Sequence, residues 1–285
     1  MLRRRPCWLA AAASGGNPYE ATIVIPVLNQ RRPWLDQCIR SALNQTVRVE
    51  TIVVTSPRTH RVTARRLAEL ERRNRSLRVR QEEGVGFAAA LNTGIRAAAA
   101  ARVGFLLSDD WLDPRAVEAC LASDADIVST GLRGYAADGV SILEDIGRVP
   151  TLAEFHRQPT RERQASYLQH FFLLRRRAVL DAGGVDEAVG LTGPDDFDLV
   201  WTMLDRGASV STIGEQLYNY RDHAGERLSL RSAEAQVRDL CRILDKHGIE
   251  GAERDEIIAW HASAYGRPFH VAVAERRDRA ALGFA

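Results

Sequence analysis

Thr22-Ile-Val-Ile-Pro26, Trp34 to Asn44 and Glu50-Thr-Ile-Val-Val54 follow one another near the start of the chain, and their alternation decides the fold. The first and third are short β-branched runs, the composition of buried strands. Between them Leu35, Ile39, Ala42 and Leu43 recur at helical spacing and mark one apolar helix face. The same rhythm continues outward. Ser56-Pro57 closes the second strand, and a polar-faced helix from Val62 to Arg73 rides on Leu67 and Leu70. Leu77 to Arg80 reads as a third short strand, and the alanine-rich stretch from Phe87 to Arg102 as a helix interrupted by Gly94. Val103-Gly-Phe-Leu-Leu107 is the next strand, followed at once by Ser108-Asp109-Asp110-Trp111. Alternation of this kind predicts an α/β fold, a Rossmann-like, mostly parallel central sheet flanked by helices. Such sheets take ligands outside the carboxyl ends of their strands. Asn29, Thr55 and the Asp109–Asp110 pair all fall at such ends.

The second half is less regular. Asp126 to Thr130 reads as a strand, residues 131–160 as loop-rich cover over the sheet's open end, and Ala178 to Ala182 as a helix before Gly183-Gly184. Another helix opens at Pro194-Asp195-Asp196, and from Ser232 onward Val237, Leu240, Ile243 and Leu244 share a helical face. The expected organisation is a disordered leader over 1–18, one domain over 19–230, and a helical extension over 231–285. Within the domain a donor half spans about 19–130 and an acceptor half about 131–230.

Composition narrows the function. The 39 basic and 37 acidic residues nearly balance, which argues against a nucleic-acid binder. Arginines do crowd the segment from Arg61 to Arg80. A solvated helix face explains them most simply, and an anionic acceptor or peripheral membrane contact is the alternative. Cys7, Cys38, Cys120 and Cys241 form no CxxC pair, so neither a zinc site nor a disulfide framework is expected, and a reducing, cytoplasmic setting follows. No stretch reaches the ~20 apolar residues of a transmembrane helix.

Three groups carry chemistry. Asp109 and Asp110 repel unless a cation or a solvated turn relieves them. A hard divalent ion suits them, and so does an acidic helix start. Asp195, Asp196 and Asp198 follow Thr192-Gly193-Pro194 and read equally as a helix start or as the setting for a general base. Tyr218-Asn-Tyr-Arg221-Asp-His223 puts an arginine suited to phosphate two residues from an imidazole suited to Mn²⁺. Gly84-Val-Gly86, with Asn92 and Gly94 downstream, would admit a ligand close to backbone, but it has neither GxGxxG nor P-loop spacing.

Six elements in order resemble family 2 glycosyltransferases between about Ala21 and Ser229. They are Ala21 to Asn29 with Leu35 to Thr46, Gly86 to Ile95, Phe105 to Trp111 with Pro114, Gly183 to Glu187, Gly193 to Leu199, and Tyr220 to His223. The resemblance implies the GT-A fold, a nucleoside-diphosphate sugar donor, Mn²⁺ or Mg²⁺, and usually inversion at the anomeric carbon. It implies Asp110 as the metal carboxylate with Asp109 beside it, His223 as a further ligand, and Asp196 as the catalytic base. Pro26, Asn29, Thr55, Gly86, Asn92, Asp109 and Arg221 fall to the donor. The chain departs from the family where Val53-Val-Thr-Ser-Pro57 replaces an aspartate-bearing strand end, leaving Thr55 in that place. The acceptor stays open among glycan, lipid-linked sugar, natural product and peptide, and a homodimer is compatible with the apolar helices. A non-catalytic binding module of the same fold and a nucleotidyltransferase are the competing readings. The latter lacks its glycine- and lysine-rich loop, since residues 22–33 contain neither residue.

Overall fold

The computed structural model describes residues 17–189, 195–223, 232–268 and 270–275. The leader, Cys7 and Thr192-Gly193-Pro194 lie outside them. The alternating half folds as expected: β1 (Ala21–Val27), α1 (Arg32–Leu43), β2 (Val49–Thr55), α2 (Arg61–Arg73), β3 (Leu77–Gln81), α3 (Phe87–Ala97) and β4 (Arg102–Phe105). The strands lie in the order β3-β2-β1-β4, all parallel, so their carboxyl ends share one edge.

Strand β1 does not stop at Pro26. It runs in register with β2 as far as Val27 opposite Thr55. The carbonyl of Val24 accepts from Leu106 on the β4 side, so two residues on the missing N–H of Pro26 faces that same side, beyond the last β4 pair. No ladder bond is lost, and proline is tolerated.

The second half holds more strand than the sequence suggests. After β5 (Trp111–Leu112) and α4 (Ala116–Leu121), β6 runs from Ile127 to Tyr135, well past Thr130, and pairs antiparallel with β7 (Ile142–Arg148). The expected loop thus contains a hairpin, then α5 (Leu152–Arg157) and α6 (Arg161–Tyr167). Strand β8 (Phe172–Arg175) lies antiparallel between β4 and β6, and is followed by α7 (Arg176–Asp181), α8 (Asp195–Asp205) and the long β9 (Val210–Arg221). Strand β9 pairs parallel to β6 and antiparallel to β5.

Two helices close the chain, α9 (Ala233–Lys246), capped by the Ser232 hydroxyl on the Ala235 N–H, and α10 (Gly251–Ala262). Their Leu240, Ile243, Leu244 and Ile257 belong to the same buried cluster as Val24, Leu91 and Phe105. The extension is packed into the core of the sheet domain. The arginine-rich segment is partly paired: Arg66 bridges Asp36 and Glu69, Arg73 meets Glu69, and Arg78 reaches the buried Glu50. No helix among the described residues is long and apolar enough to cross a membrane. Cys38, Cys120 and Cys241 are free.

Candidate active site

The turn after β4 divides its two aspartates. Asp110 turns inward and is 1 % exposed. One of its oxygens accepts from the Tyr218 hydroxyl at 2.6 Å and the other from the backbone N–H of Arg221 at 2.7 Å. The pairing of β5 with β9 sets Trp111 opposite Asn219 and so brings the end of β9 to this turn. Asp109 faces outward, with its Oδ2 2.9 Å from Nε2 of His223. Burial and the Asp110 charge push the Tyr218 phenol well above its usual range, so it remains a donor. Burial likewise pushes the Cys38 thiol up, with Asp110 and Asp109 adding to the effect, and it donates to the Leu107 carbonyl.

Arg221 sits differently from the expectation that it grips phosphate. Its guanidinium donates to the carbonyls of Asp109 (2.9 Å) and Ala137 (3.1 Å) and to Oε1 of Gln37 (2.6 Å). It lies between the rings of Trp34 and Trp111, 5.0 and 4.8 Å from their centroids, and is 1 % exposed. Arg221 is a strut that fixes the aspartate turn from behind. The Trp34 ring also packs against His223, at 4.6 Å between centroids, so one tryptophan steadies both residues.

Asn92 is likewise committed inside the protein. Its amide accepts from the Val185 N–H at 2.9 Å and donates to the Val185 carbonyl and Glu187. Gly184, at φ +78°, allows this contact, because a Cβ there would lie 2.6 Å from Asn92 Oδ1. The expected donor contact becomes a clamp between α3 and the Gly183–Glu187 loop. Asn29 accepts from the His60 N–H and so ties the loop after β1 to the loop after β2. The Thr55 hydroxyl donates to the Arg80 carbonyl. Gly86, at φ 104°, begins α3, and Pro26 is a β1 residue.

Asp196 stands in the first turn of α8, its side chain 33 % exposed. Its Oδ2 lies 2.6 Å from Nε2 of His170, and its Oδ1 accepts from the Phe197 N–H. Burial opposes its ionisation, but the His170 hydrogen bond and the Phe197 N–H outweigh that and hold the carboxyl below its usual range. His170 escapes a sequence reading. Its only signal is a polar residue set against Phe171-Phe172 at the start of a buried strand. Its ring is 5.6 Å from the ring of Tyr218, whose hydroxyl is on Asp110, so one tyrosine adjoins both carboxylate groups. On its outer side Asp196 lines a cleft of about 230 Å³ with Ser166, Phe197, Trp260 and His261. Asp198 faces away, 1 % exposed and bonded to Lys246 and His247, which anchors α9. Asp195 begins α8.

A hard cation fits the outer pair. Among the described residues no cluster of three or more His, Cys, Asp and Glu is set to enclose a metal. Mg²⁺-type bonds of roughly 2.0–2.1 Å place neighbouring octahedral ligands about 2.9 Å apart, and Asp109 Oδ2 and His223 Nε2 are separated by 2.9 Å. Each oxygen of Asp110 accepts a hydrogen bond from within the protein, whereas Asp109 is the more exposed of the two carboxylates expected at the metal.

A family profile described as Glycosyl transferase family 2 matches residues 22–184, more than half of the chain. The chain belongs to glycosyl transferase family 2. Within the family it is 24 % identical over 212 residues to the uncharacterized glycosyltransferase EpsJ of Bacillus subtilis, covering 71 % of this chain and 61 % of EpsJ. It is 29 % identical to the O-antigen biosynthesis protein RfbC of Myxococcus xanthus, covering 81 % of this chain and 18 % of RfbC. With chondroitin synthase of Escherichia coli the identity is 33 % over 79 % of this chain and 32 % of the synthase. The family 2 chain therefore spans less than two thirds of each of these relatives.

Among solved structures, S. aureus TarS in complex with UDP-GlcNAc superposes with a TM-score of 0.60 at 19 % identity, over 84 % of this chain and 70 % of that one. The mannosyltransferase PcManGT from Pyrobaculum calidifontis, in complex with GDP-Man and Mn²⁺, gives 0.59 at 17 %, over 96 % and 80 %. These likenesses establish the GT-A fold.

Proposed function

We propose that this family 2 protein transfers a sugar from a nucleoside-diphosphate sugar to an acceptor hydroxyl, with inversion, and that a divalent cation assists. The observation that carries the reading is the contact of Tyr218 with both acidic groups, by a hydrogen bond to Asp110 and by ring proximity to the His170 partner of Asp196. A leaving-group site and a base thereby share one support at the strand ends.

Asp109 and His223 would hold the cation together with diphosphate oxygens, and Asp110 and Arg221 keep the Asp109 backbone in place. When bound, the cation neutralises charge on the departing diphosphate. The acceptor oxygen attacks the anomeric carbon as the bond from that carbon to the phosphate oxygen breaks, and Asp196 takes the acceptor's proton on a carboxylate oxygen. Base and leaving group lie on opposite faces of the sugar, as in inverting glycosidases. An Asp196 carboxyl held ionised suits that task.

The first experiment is a thermal-shift panel of UDP, GDP, dTDP and CDP, each with and without Mn²⁺. One nucleotide raising the melting point only with metal is the expected result. Stabilisation by none of them under any condition sinks the enzyme reading. The competing binding module draws its support from Thr55, whose hydroxyl already serves Arg80. That module would bind a nucleotide yet show no transfer from any sugar conjugate of it.

A further inference from the structure

We infer that His170 is the positioning residue of Asp196: it donates from Nε2 to the carboxylate and aims its free edge at the acceptor. The inference rests on the reading of Asp196 as the base. Three features carry it. The Nε2–Oδ2 separation is 2.6 Å, a strong, charge-assisted distance. Among the described residues the buried Nδ1 atom has no hydrogen-bond partner. Nε2 is thus the ring nitrogen through which His170 engages the protein, and it points at Asp196. Finally, the ring is held from two sides, by Phe172 of β8 at 4.9 Å and Tyr218 of β9 at 5.6 Å between centroids, so its direction is set by the sheet.

This division of labour leaves the two oxygens of Asp196 unlike one another. Oδ2 is bound to His170, whereas Oδ1 accepts from the Phe197 N–H of its own helix turn. The titratable groups facing the pair are few. Tyr218 approaches from β9 and stays protonated, with Asp110 behind it. Across the cleft His261 of α10 is bonded to Glu162 of α6.

The test follows the Asp196 carboxyl by carbon NMR in the full chain, labelled at aspartate and assigned with Asp196→Asn. His170→Phe should raise its titration midpoint by about one pH unit, since a hydrogen bond to the charged form is lost. His170→Gln, whose amide can reach the place of Nε2, should restore it. If His170→Phe does not fold, His170→Asn, polar but too short, replaces it. The UDP or GDP thermal shift with Mn²⁺ should be unchanged in the folded variants, because the donor side is untouched. An unmoved midpoint, failure of His170→Gln to restore it, or loss of the nucleotide response overturns the assignment. The two readings fail separately. Transfer by Asp196→Asn at near wild-type rate removes the base itself, whereas an inactive Asp196→Asn beside an unshifted His170→Phe removes only the role of His170.

Discussion

The inner and outer aspartates differ by one peptide unit and do different work. Asp110 is a buried carboxylate that accepts from the Tyr218 hydroxyl and the Arg221 N–H, and Tyr218→Phe removes the first of these. We expect a loss of about 1–3 kcal/mol in denaturant unfolding, with a weaker Mn²⁺-dependent nucleotide response in the same sample. Asp196 carries the catalytic prediction. Asp196→Asn should reduce transfer by at least about 100-fold, in the range of general-base contributions, while the nucleotide-induced thermal shift persists. It also carries a pH signature. Its folded value lies below the ordinary carboxylate range. Its contribution to stability is therefore fully present above the unfolded value, near pH 4, and fades as pH falls through the lower, folded one. Wild type and Asp196→Asn should converge in stability across that acid window, and a gap unchanged below it contradicts the pairing. At this scale the sequence exposes residue types and neighbours but not direction. The places of Asp109, Asp196 and His223 beside element ends were legible because the elements follow a familiar order. The roles of Arg221 and Asn92 were not, because only the folded chain places Gln37 and Ala137 around the first and Val185 around the second.

Helices and strands show where periodicity is a reliable guide. In the first half β1, β2 and β4 are short runs buried on both faces, β3 is a half-exposed edge strand, and each helix keeps one apolar stripe, so the elements read directly from the chain. The hairpin of β6 and β7 did not, because Gly131, Gly134 and Gly147 interrupt its pattern. Two of these glycines have a packing reason: a Cβ on Gly131 would press on the Arg148 carbonyl and one on Gly134 on Ile146. The glycine inside α3 has the same kind of reason. A Cβ on Gly94 would collide with the Val24 side chain of β1. Alanine would favour the helix by up to about 1 kcal/mol, but overpacking should outweigh this at about 1–3 kcal/mol. We therefore expect Gly94→Ala to lower the denaturant midpoint, and a rise would show that α3 can move off the sheet.

For the whole molecule, the proposed pairing of two side-chain ligands with a substrate-borne remainder would make cation and nucleotide mutually dependent. Mn²⁺ alone should shift the melting point little, whereas Mn²⁺ with the right nucleotide should shift it by more than the two separate effects added. Strict additivity in a thermal titration would contradict a shared site. The acceptor side draws on residues far apart in sequence, Ser166, Asp196 and Trp260 lining one cleft, and no local motif announces such a convergence. The segment after α10 reaches the other aspartate turn as well. The backbone N–H of His270 donates to Asp222, and its imidazole contacts the same carboxylate. Asp222 stands between Arg221, the strut, and His223, the outer ligand. This joint bears on how such chains can be recombined. A hybrid that exchanges everything after residue 231 to alter acceptor choice would also remove the His270 contact beside His223, so its response to nucleotide and metal should be measured along with its acceptor range.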